Sequence, residues 1–332
     1  MLVGLCNRMA AGWFDEFSNA CNALGLDQKT IDIGADDWME QLKGVDIFVW
    51  RLVMSDPSCM SEARTKIPFI EAMGIRCFPN QKMLWLYDDK IRETFFLRQN
   101  DYPTPRTWVF FDAKAAREFA AQASYPLVAK SHCGAGAKGV QLLKSPEEAL
   151  NLLDRIFRKT SILDILLENY YFIPRMAKGN ILAVLNSRYR NAWPRYAYFQ
   201  EFLHIDRDWR VTTLGKDLVS IFTRKNRPDD FRASGSGIWE QVGEKSIPTE
   251  AFDLALSISN HNQFTSMTYD FLKDGDRWLI GELSYAFVLD AFYAEQVYRR
   301  EQEAYTRASF HSIGELHLRA VMDQISGVGD AR

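Results

Sequence analysis

Pro126-Leu-Val-Ala-Lys-Ser-His-Cys-Gly-Ala-Gly-Ala-Lys-Gly-Val140 is the stretch on which the reading of this chain turns. A short apolar strand ends on Lys130 and enters a loop of small residues before a second strand begins at Gly139. Small residues at Gly134 and Gly136 let backbone N–H groups come close to phosphate oxygens. Lysine adds a point charge for them. No Gly-Lys-Ser/Thr precedes a helix, so this is not a Walker A loop. Alone, the stretch also fits a plain flexible hairpin loop, and its surroundings must decide.

Upstream, apolar runs at 2–6, 30–33, 45–50 and 75–78 read as strands. Between them lie helical patterns. Trp13, Phe17, Cys21 and Leu24 recur at helical spacing before Gly25; a short helix covers 38–42; another ends near Met73. Such alternation implies a parallel sheet covered by helices. No GxGxxG follows the first strand, which excludes a standard dinucleotide site. A helix is expected over 89–99, then a proline loop at Tyr102-Pro-Thr-Pro105, a strand at 107–111 and a helix at 113–123. Past the glycine loop, Ser145 reads as an N-cap with Pro146 in the first turn and Glu148 closing a capping box.

Residues 160–196 fit no single period and mix aromatics with basic residues, among them Arg188, Arg190 and Arg195. A long irregular segment of this kind is more often functional than an ordinary connection. From Tyr198 the pattern turns antiparallel: strands at 198–204, 209–213 and 218–224, a helix at 249–260, and a hairpin of 266–272 with 278–283. The tail, 290–319, is expected to be helical.

Two further features bear on chemistry. Asp270 and Glu282 fall on facing strands of the predicted hairpin, and paired carboxylates reaching one point suit a phosphate-bound Mg2+. The alternative is two solvated strand carboxylates, but Glu282 sits inside the apolar run Trp278-Leu-Ile-Gly-Glu-Leu283, where an unpaired charge is costly. Asp208-Trp-Arg210 and Arg224-Lys225 lie on antiparallel strands, where arginines either clamp a phosphoryl group or form a charged solvent face.

At 332 residues the chain should divide into two or three domains. Hydrophobic residues at 47% and charged residues at 25% describe an ordinary globular protein. A net charge of −3 gives no electrostatic reason to expect nucleic acid or an anionic membrane as partner. Five scattered cysteines, an odd number without a CxxC, read as reduced thiols. With no signal-like N-terminus and no apolar run of membrane-spanning length, the expected location is the cytoplasm.

From about Phe78 to Ala286 the order of features resembles the ATP-grasp superfamily, especially the ribosomal-protein glutamate ligases and the glutathione synthetase-like carboxylate–amine ligases. The residues that carry the resemblance are Asp88-Asp-Lys90, Tyr102-Pro-Thr-Pro105, Pro126-Leu-Val-Ala-Lys130, Lys138-Gly-Val140 and Gln200-Glu-Phe-Leu203. They continue with Asp208-Trp-Arg-Val211, Arg224, Asp229-Asp-Phe-Arg232, Ser234-Gly-Ser-Gly237, Asp270 and Glu282-Leu-Ser284. No one of these is specific, but their order is.

The resemblance implies an α/β (α+β) ATP-grasp fold behind an N-terminal Rossmann-like α/β domain. The division is 1–88, a lid subdomain at 89–199 carrying the 160–196 insertion, and a C-terminal subdomain at 200–332 with the metal site. It implies that Lys90, Lys130, Gly134, Gly136, Lys138 and Gly139 meet the ATP phosphates. Glu201, Phe202 and Leu203 would lie beside adenine and Asp208 near the ribose. Arg224, with Arg210 and Arg232, would face the transferred phosphoryl. Asp270, Glu282 and Ser284 would hold Mg2+, or Mn2+ in its place. The family carries Asn where this chain has Ser284, a weaker ligand. The implied reaction is ATP-dependent amide formation through an acyl phosphate, between a small-molecule, peptide or sugar carboxylate and an amine. A small-molecule kinase and a nucleotide-binding protein with little turnover are the alternatives, and a homo-oligomer is left open.

Overall fold

The computed structural model describes residues 1–53, 56–131, 139–157, 195–243, 246–287 and 296–326. It divides into two compact units, one of Met1–Pro105 with Leu203–Arg332, the other of Arg106–His132 with Lys138–Phe202. The chain passes between them at Pro105/Arg106 and at Phe202/Leu203.

The first unit opens with four parallel strands, β1 (Leu2–Cys6), β2 (Asp27–Ile31), β3 (Ile47–Val49) and β4 (Arg76–Phe78), in the order β2-β1-β3-β4. Helices α1 (Trp13–Leu24), α2 (Trp38–Gln41) and α3 (Pro57–Ala72) connect them. α1 buries Trp13, Phe17, Ala20 and Cys21, residues three or four apart that share one face. Asp56 caps α3 by accepting from Ser58 and Cys59 N–H. A helix not expected from the sequence, α4 (Gln81–Leu86), buries Met83, Leu84 and Leu86 before α5 (Lys90–Gln99).

The second unit holds β5 (Thr107–Phe110), α6 (Ala113–Gln122), β6 (Leu127–Lys130), β7 (Val140–Leu143), α7 (Pro146–Phe157) and β8 (Ala197–Glu201). Its four strands form an antiparallel sheet in the order β5-β8-β6-β7. Ala116 and Ala120 of α6 and Ala149 and Leu153 of α7, each pair four residues apart, pack on Leu127, Ala129, Leu143 and Phe199. Ser145 Oγ accepts from Glu148 N–H at 3.3 Å, but the Glu148 carboxylate takes the N–H of Lys144 at 2.7 Å, one residue earlier than a capping box has it.

The first unit resumes with β9 (Arg207–Leu214), β10 (Leu218–Lys225), β11 (Trp239–Glu240), α8 (Thr249–Asn262), β12 (Ser266–Asp274), β13 (Arg277–Ser284), β14 (Gln296–Glu301), β15 (Ala304–Arg307) and α9 (Ile313–Ser326). Seven strands form an antiparallel sheet, β13-β12-β9-β10-β14-β15, with β11 also on β10. The tail is therefore not helical throughout, as the sequence suggested. Leu218–Ile221 of β10 pair with Arg299–Gln296, and Tyr298 and Tyr305 both pack on Phe252, so sheet pairing and aromatic burial override a helix-favouring composition. α9 then closes on α1. A Cβ on Gly314 would lie 2.8 Å from the carbonyl of Glu16, so only glycine permits this approach. Glu16 secures the seam by accepting from Ser312 Oγ at 2.7 Å and Gly314 N–H at 2.9 Å.

Cys6, Cys21, Cys59 and Cys77 are free and buried; Cys133 lies outside the described residues. No helix among the described residues is long and apolar enough to cross a membrane.

Candidate functional site

Strand register gathers a set of charged residues of the first unit onto one face of its large sheet. Asp208 and Arg210, two apart on β9, point to the same side. Asp208 stands opposite Arg224 of β10, Arg210 opposite Asp270 of β12, and Asp270 opposite Glu282 of β13. After the Asp270–Glu282 pair the register shifts so that Phe271 faces Ile280, which leaves Gly281 as an extra residue, a β-bulge.

The side chains interlock. Arg224 grips Asp208 with two bonds, Nε to Oδ1 at 2.8 Å and Nη2 to Oδ2 at 2.6 Å, and its Nη2 also reaches Asp270 Oδ2 at 2.7 Å. Arg210 holds the other side of Asp270, Nε to Oδ1 at 2.8 Å and Nη2 to Oδ2 at 2.9 Å. Paired forks of this kind are the strong class of hydrogen bond. Asp208, Arg224 and Asp270 are only 5–7% exposed and the Arg210 side chain 22%, so two carboxylates and two guanidiniums balance each other largely out of water. Burial favours protonation of Asp270, but Arg210 and Arg224 outweigh it and hold its carboxyl well below the usual range. Burial disfavours the Arg224 charge, and Asp270 and Asp208 more than restore it.

Beside this network lies Lys90. Asp88, at φ 51°, adopts the left-handed conformation that Asp tolerates and turns the chain into α5. Asp89 caps that helix by accepting from Ile91 and Arg92 N–H, both at 3.1 Å. Lys90 thereby begins the helix, with Nζ 3.3 Å from Glu282 Oε1. Burial works against its ammonium, but Glu282 and Glu93 hold it above its ordinary range. Glu93, one turn on and 3% exposed, accepts from the N–H of Leu283 at 3.0 Å. Ile280 donates its N–H to Pro103 O at 2.8 Å and accepts from Thr104 Oγ1 at 3.0 Å. The outer edge of β13 is thus held along the stretch that presents Glu282.

Sequence reasoning missed Glu93. A lone glutamate on a helix looks solvated, and its one signal was its place among the buried residues Thr94, Phe96 and Leu97. Of the other expected residues, Ser284 Oγ donates to Ala286 O at 2.8 Å and accepts from Ala286 N–H at 3.1 Å. Arg232 folds onto Asp230, with Nε to Oδ2 at 2.8 Å, inside its own loop.

In the second unit, Lys130 ends β6 opposite Val140, and Gly139 closes that hairpin at φ 80°, a conformation that favours glycine. Glu201 ends β8, and its carboxylate accepts from Arg106 N–H at 2.8 Å. Phe202 and Leu203 straddle the boundary between the units. Gly134, Gly136 and Lys138 lie outside the described residues, as do Arg188, Arg190 and all of 160–196 before Arg195, which donates to Phe157 O at 2.9 Å.

As donors to a hard cation these groups differ. Glu282 has a 36% exposed side chain and one 3.3 Å bond to Lys90, and it fits the role. Both oxygens of Asp270 are engaged by arginine. Among the described residues no three His, Cys, Asp or Glu side chains converge as a metal cage.

No protein-family model matches the chain. Solved structures do. D-alanine–D-alanine ligase from Bacillus anthracis, complexed with ATP, superposes with a TM-score of 0.58 at 13% identity, over 99% of this chain and 98% of that one. A RimK domain ATP-grasp protein from Sphaerobacter thermophilus gives 0.56 at 15% identity, over 87% and 93%. The chain has the ATP-grasp fold. N5-carboxyaminoimidazole ribonucleotide synthetase from Thermus thermophilus is also similar, with a TM-score of 0.58 at 16% identity over 97% of this chain and 78% of that one. The parallel β2-β1-β3-β4 sheet is the Rossmann-like part of this ATP-grasp architecture, as the sequence led us to expect.

Proposed function

We propose that this ATP-grasp chain is an ATP-dependent carboxylate–amine ligase working through an acyl phosphate. One observation carries the reading: Lys90, Arg210 and Arg224 alternate with Glu282, Asp270 and Asp208 across adjoining elements of the first unit. Fixed cations among fixed carboxylates suit a polyphosphate with its metal and stabilise charge on a transferring phosphoryl group. That the similar structures include a ligase and a synthetase supports amide or related bond formation.

In this reading Lys90, Lys130 and the Gly134–Gly139 loop bind phosphates. Glu201, Phe202 and Leu203 lie beside adenine, Asp208 orients the ribose, and Arg210, Arg224 and Arg232 steady the transferred phosphoryl. On the Mg2+ side Glu282 faces the ion, with Asp270 and Ser284 beside it. Mg2+ when bound would supply neutralising charge to the phosphates. The protein's own work is binding and orientation, and no side chain acts as a covalent nucleophile. The functional division we propose is 1–88, 89–199 and 200–332. Buried, unbridged thiols support a cytoplasmic location.

Release of ADP and phosphate across a panel of carboxylates and amines tests the reaction. Nucleotide binding with no release under any pairing would instead favour a nucleotide-binding protein of little turnover. The Ser284 hydroxyl, bonded within its own turn, is the observation that keeps this second reading in play.

Two results are expected. ATP with Mg2+ at a hundredfold its dissociation constant should stabilise the protein by about 2.7 kcal/mol, read as a rise in melting temperature that equal GTP does not match. No shift at millimolar nucleotide sinks the reading. Lys130→Ala should weaken nucleotide binding about tenfold, a loss of roughly 1.4 kcal/mol. Unchanged affinity in that variant would place the phosphates elsewhere.

A further inference from the structure

We infer that the protein offers a divalent ion one carboxylate ligand, Glu282, so that a single ion is held at this site and only together with nucleotide. Asp270 stays with its arginines. The inference rests on the Mg-ATP reading and goes beyond it in fixing which side chain ligates.

Asp270 is closed as a ligand. Three bonds of 2.7 to 2.9 Å from two guanidiniums cover both its oxygens, and its side chain is 10% exposed. To ligate, it must release Arg210 or Arg224. Releasing Arg224 also strips Asp208, whose two bonds both come from that guanidinium. Buried charges set free in this way are costly. Ser284 offers little more, since its hydrogen goes to Ala286 O and one lone pair to Ala286 N–H.

Glu282 differs on each count. Its side chain is 36% exposed against 10% for Asp270, Oε1 has one long bond to Lys90, and Oε2 has no hydrogen-bond partner among the described residues. The bulge at Gly281 and the Glu93 bond to Leu283 N–H fix the strand that presents it. Lys90 already balances its charge, so a cation arriving alone would crowd an ammonium. Arriving with a polyphosphate, it brings oxygens for its own shell and an anionic partner for Lys90. A hard cation that takes six oxygens can accept one from protein when phosphate and water supply the rest.

Mn2+ electron paramagnetic resonance tests this on the full chain, with a non-hydrolysable ATP analogue. Wild type should bind no Mn2+ by itself and one Mn2+ per chain with the analogue, without the dipolar broadening of a metal pair. Glu282→Gln should weaken that ion about tenfold or more, while Arg210→Gln, by baring Asp270, should admit a second. Two coupled ions in wild type, or Mn2+ uptake without nucleotide, would overturn the inference and leave the Mg-ATP reading standing. Failure to bind the analogue at all would overturn the reading itself. The wild-type count decides even where a variant folds poorly.

Discussion

Arg224→Met is expected to destabilise the protein by about 3–5 kcal/mol at pH 7, the usual cost of removing one partner from a buried ion network. Arg224 is 5% exposed and supplies both bonds to Asp208 and one of three to Asp270. Methionine matches much of its length but leaves Asp208 as a buried, unpaired carboxylate. The pH dependence gives the prediction its signature. In the wild type, burial already lifts the Asp208 pKa against the pull of Arg224, and in the variant, with that counter-charge gone, it should rise further above its unfolded value. The penalty is then present above the raised pKa and fades as pH falls through it, because the folded state takes up the proton first. Relative to wild type the variant should therefore recover stability on acidification.

Urea unfolding at several pH values measures this directly. Arg224→Lys should fall between the two, since an ammonium keeps the charge but cannot form the paired fork. The double variant Asp208→Leu, Arg224→Met should be more stable than Arg224→Met, because it removes the stranded charge along with its partner. A deficit under about 1 kcal/mol in Arg224→Met, flat with pH, would show that the network is not what holds these strands in place.

The contrast between what the sequence disclosed and what it hid follows from range. The parallel sheet was legible because β1, β3 and β4 are short apolar runs set among helical periods. The Asp270–Glu282 pair was legible because both lie on one hairpin, where counting back from the turn at Gly275 fixes the register to within the bulge. The Arg224–Asp208 pair lies on a hairpin of the same kind, and counting back from its turn at Gly215-Lys-Asp217 would have found it. The Arg210–Asp270 bond was out of reach, because it depends on how β9 registers with β12, a pairing that spans some sixty residues of chain. The sequence offered these arginines as clamps for a ligand, and the fold adds a carboxylate partner to each. The β14–β15 hairpin was hidden for the same reason: Gln296-Val-Tyr-Arg-Arg-Glu301 becomes a strand by pairing with β10, 75 or more residues upstream. Arg51 carried a signal of its own, a cation within the otherwise apolar run Ile47–Met54. It proves to be 1% exposed, bonded to Leu52 O and Phe287 O and lying over Trp13 and Tyr285.

Acid lability traceable to His317 is the second large effect. This residue of α9 is fully buried among Trp13, Phe17, Phe78 and Phe287, where α9 closes on the parallel sheet and α1. Its Nδ1 lies 2.8 Å from Ile313 O, one turn back, so that nitrogen carries the hydrogen; Nε2 has no hydrogen-bond partner among the described residues. Burial, with a smaller push from the Arg51 cation, brings its pKa from 6.5 down to about 4. A depressed histidine pKa means that the unfolded chain takes up the proton first. The stability it confers is therefore fully present above pH 6.5 and is lost progressively as pH falls towards 4. Over that interval the loss should reach about 3 kcal/mol, since each tenfold difference in proton affinity between the folded and unfolded chain is worth about 1.36 kcal/mol. His317→Leu removes the titrating group and the unpaired nitrogen while keeping an apolar side chain of similar size. Its stability should match wild type near pH 7.5 to within about 1.5 kcal/mol and exceed it near pH 4.5. The difference between the two proteins isolates the imidazole from carboxylates that titrate in the same range. Parallel curves for wild type and variant between pH 7.5 and 4.5 would show that His317 accepts a proton in the folded state, and that the α1–α9 seam opens far enough to solvate it.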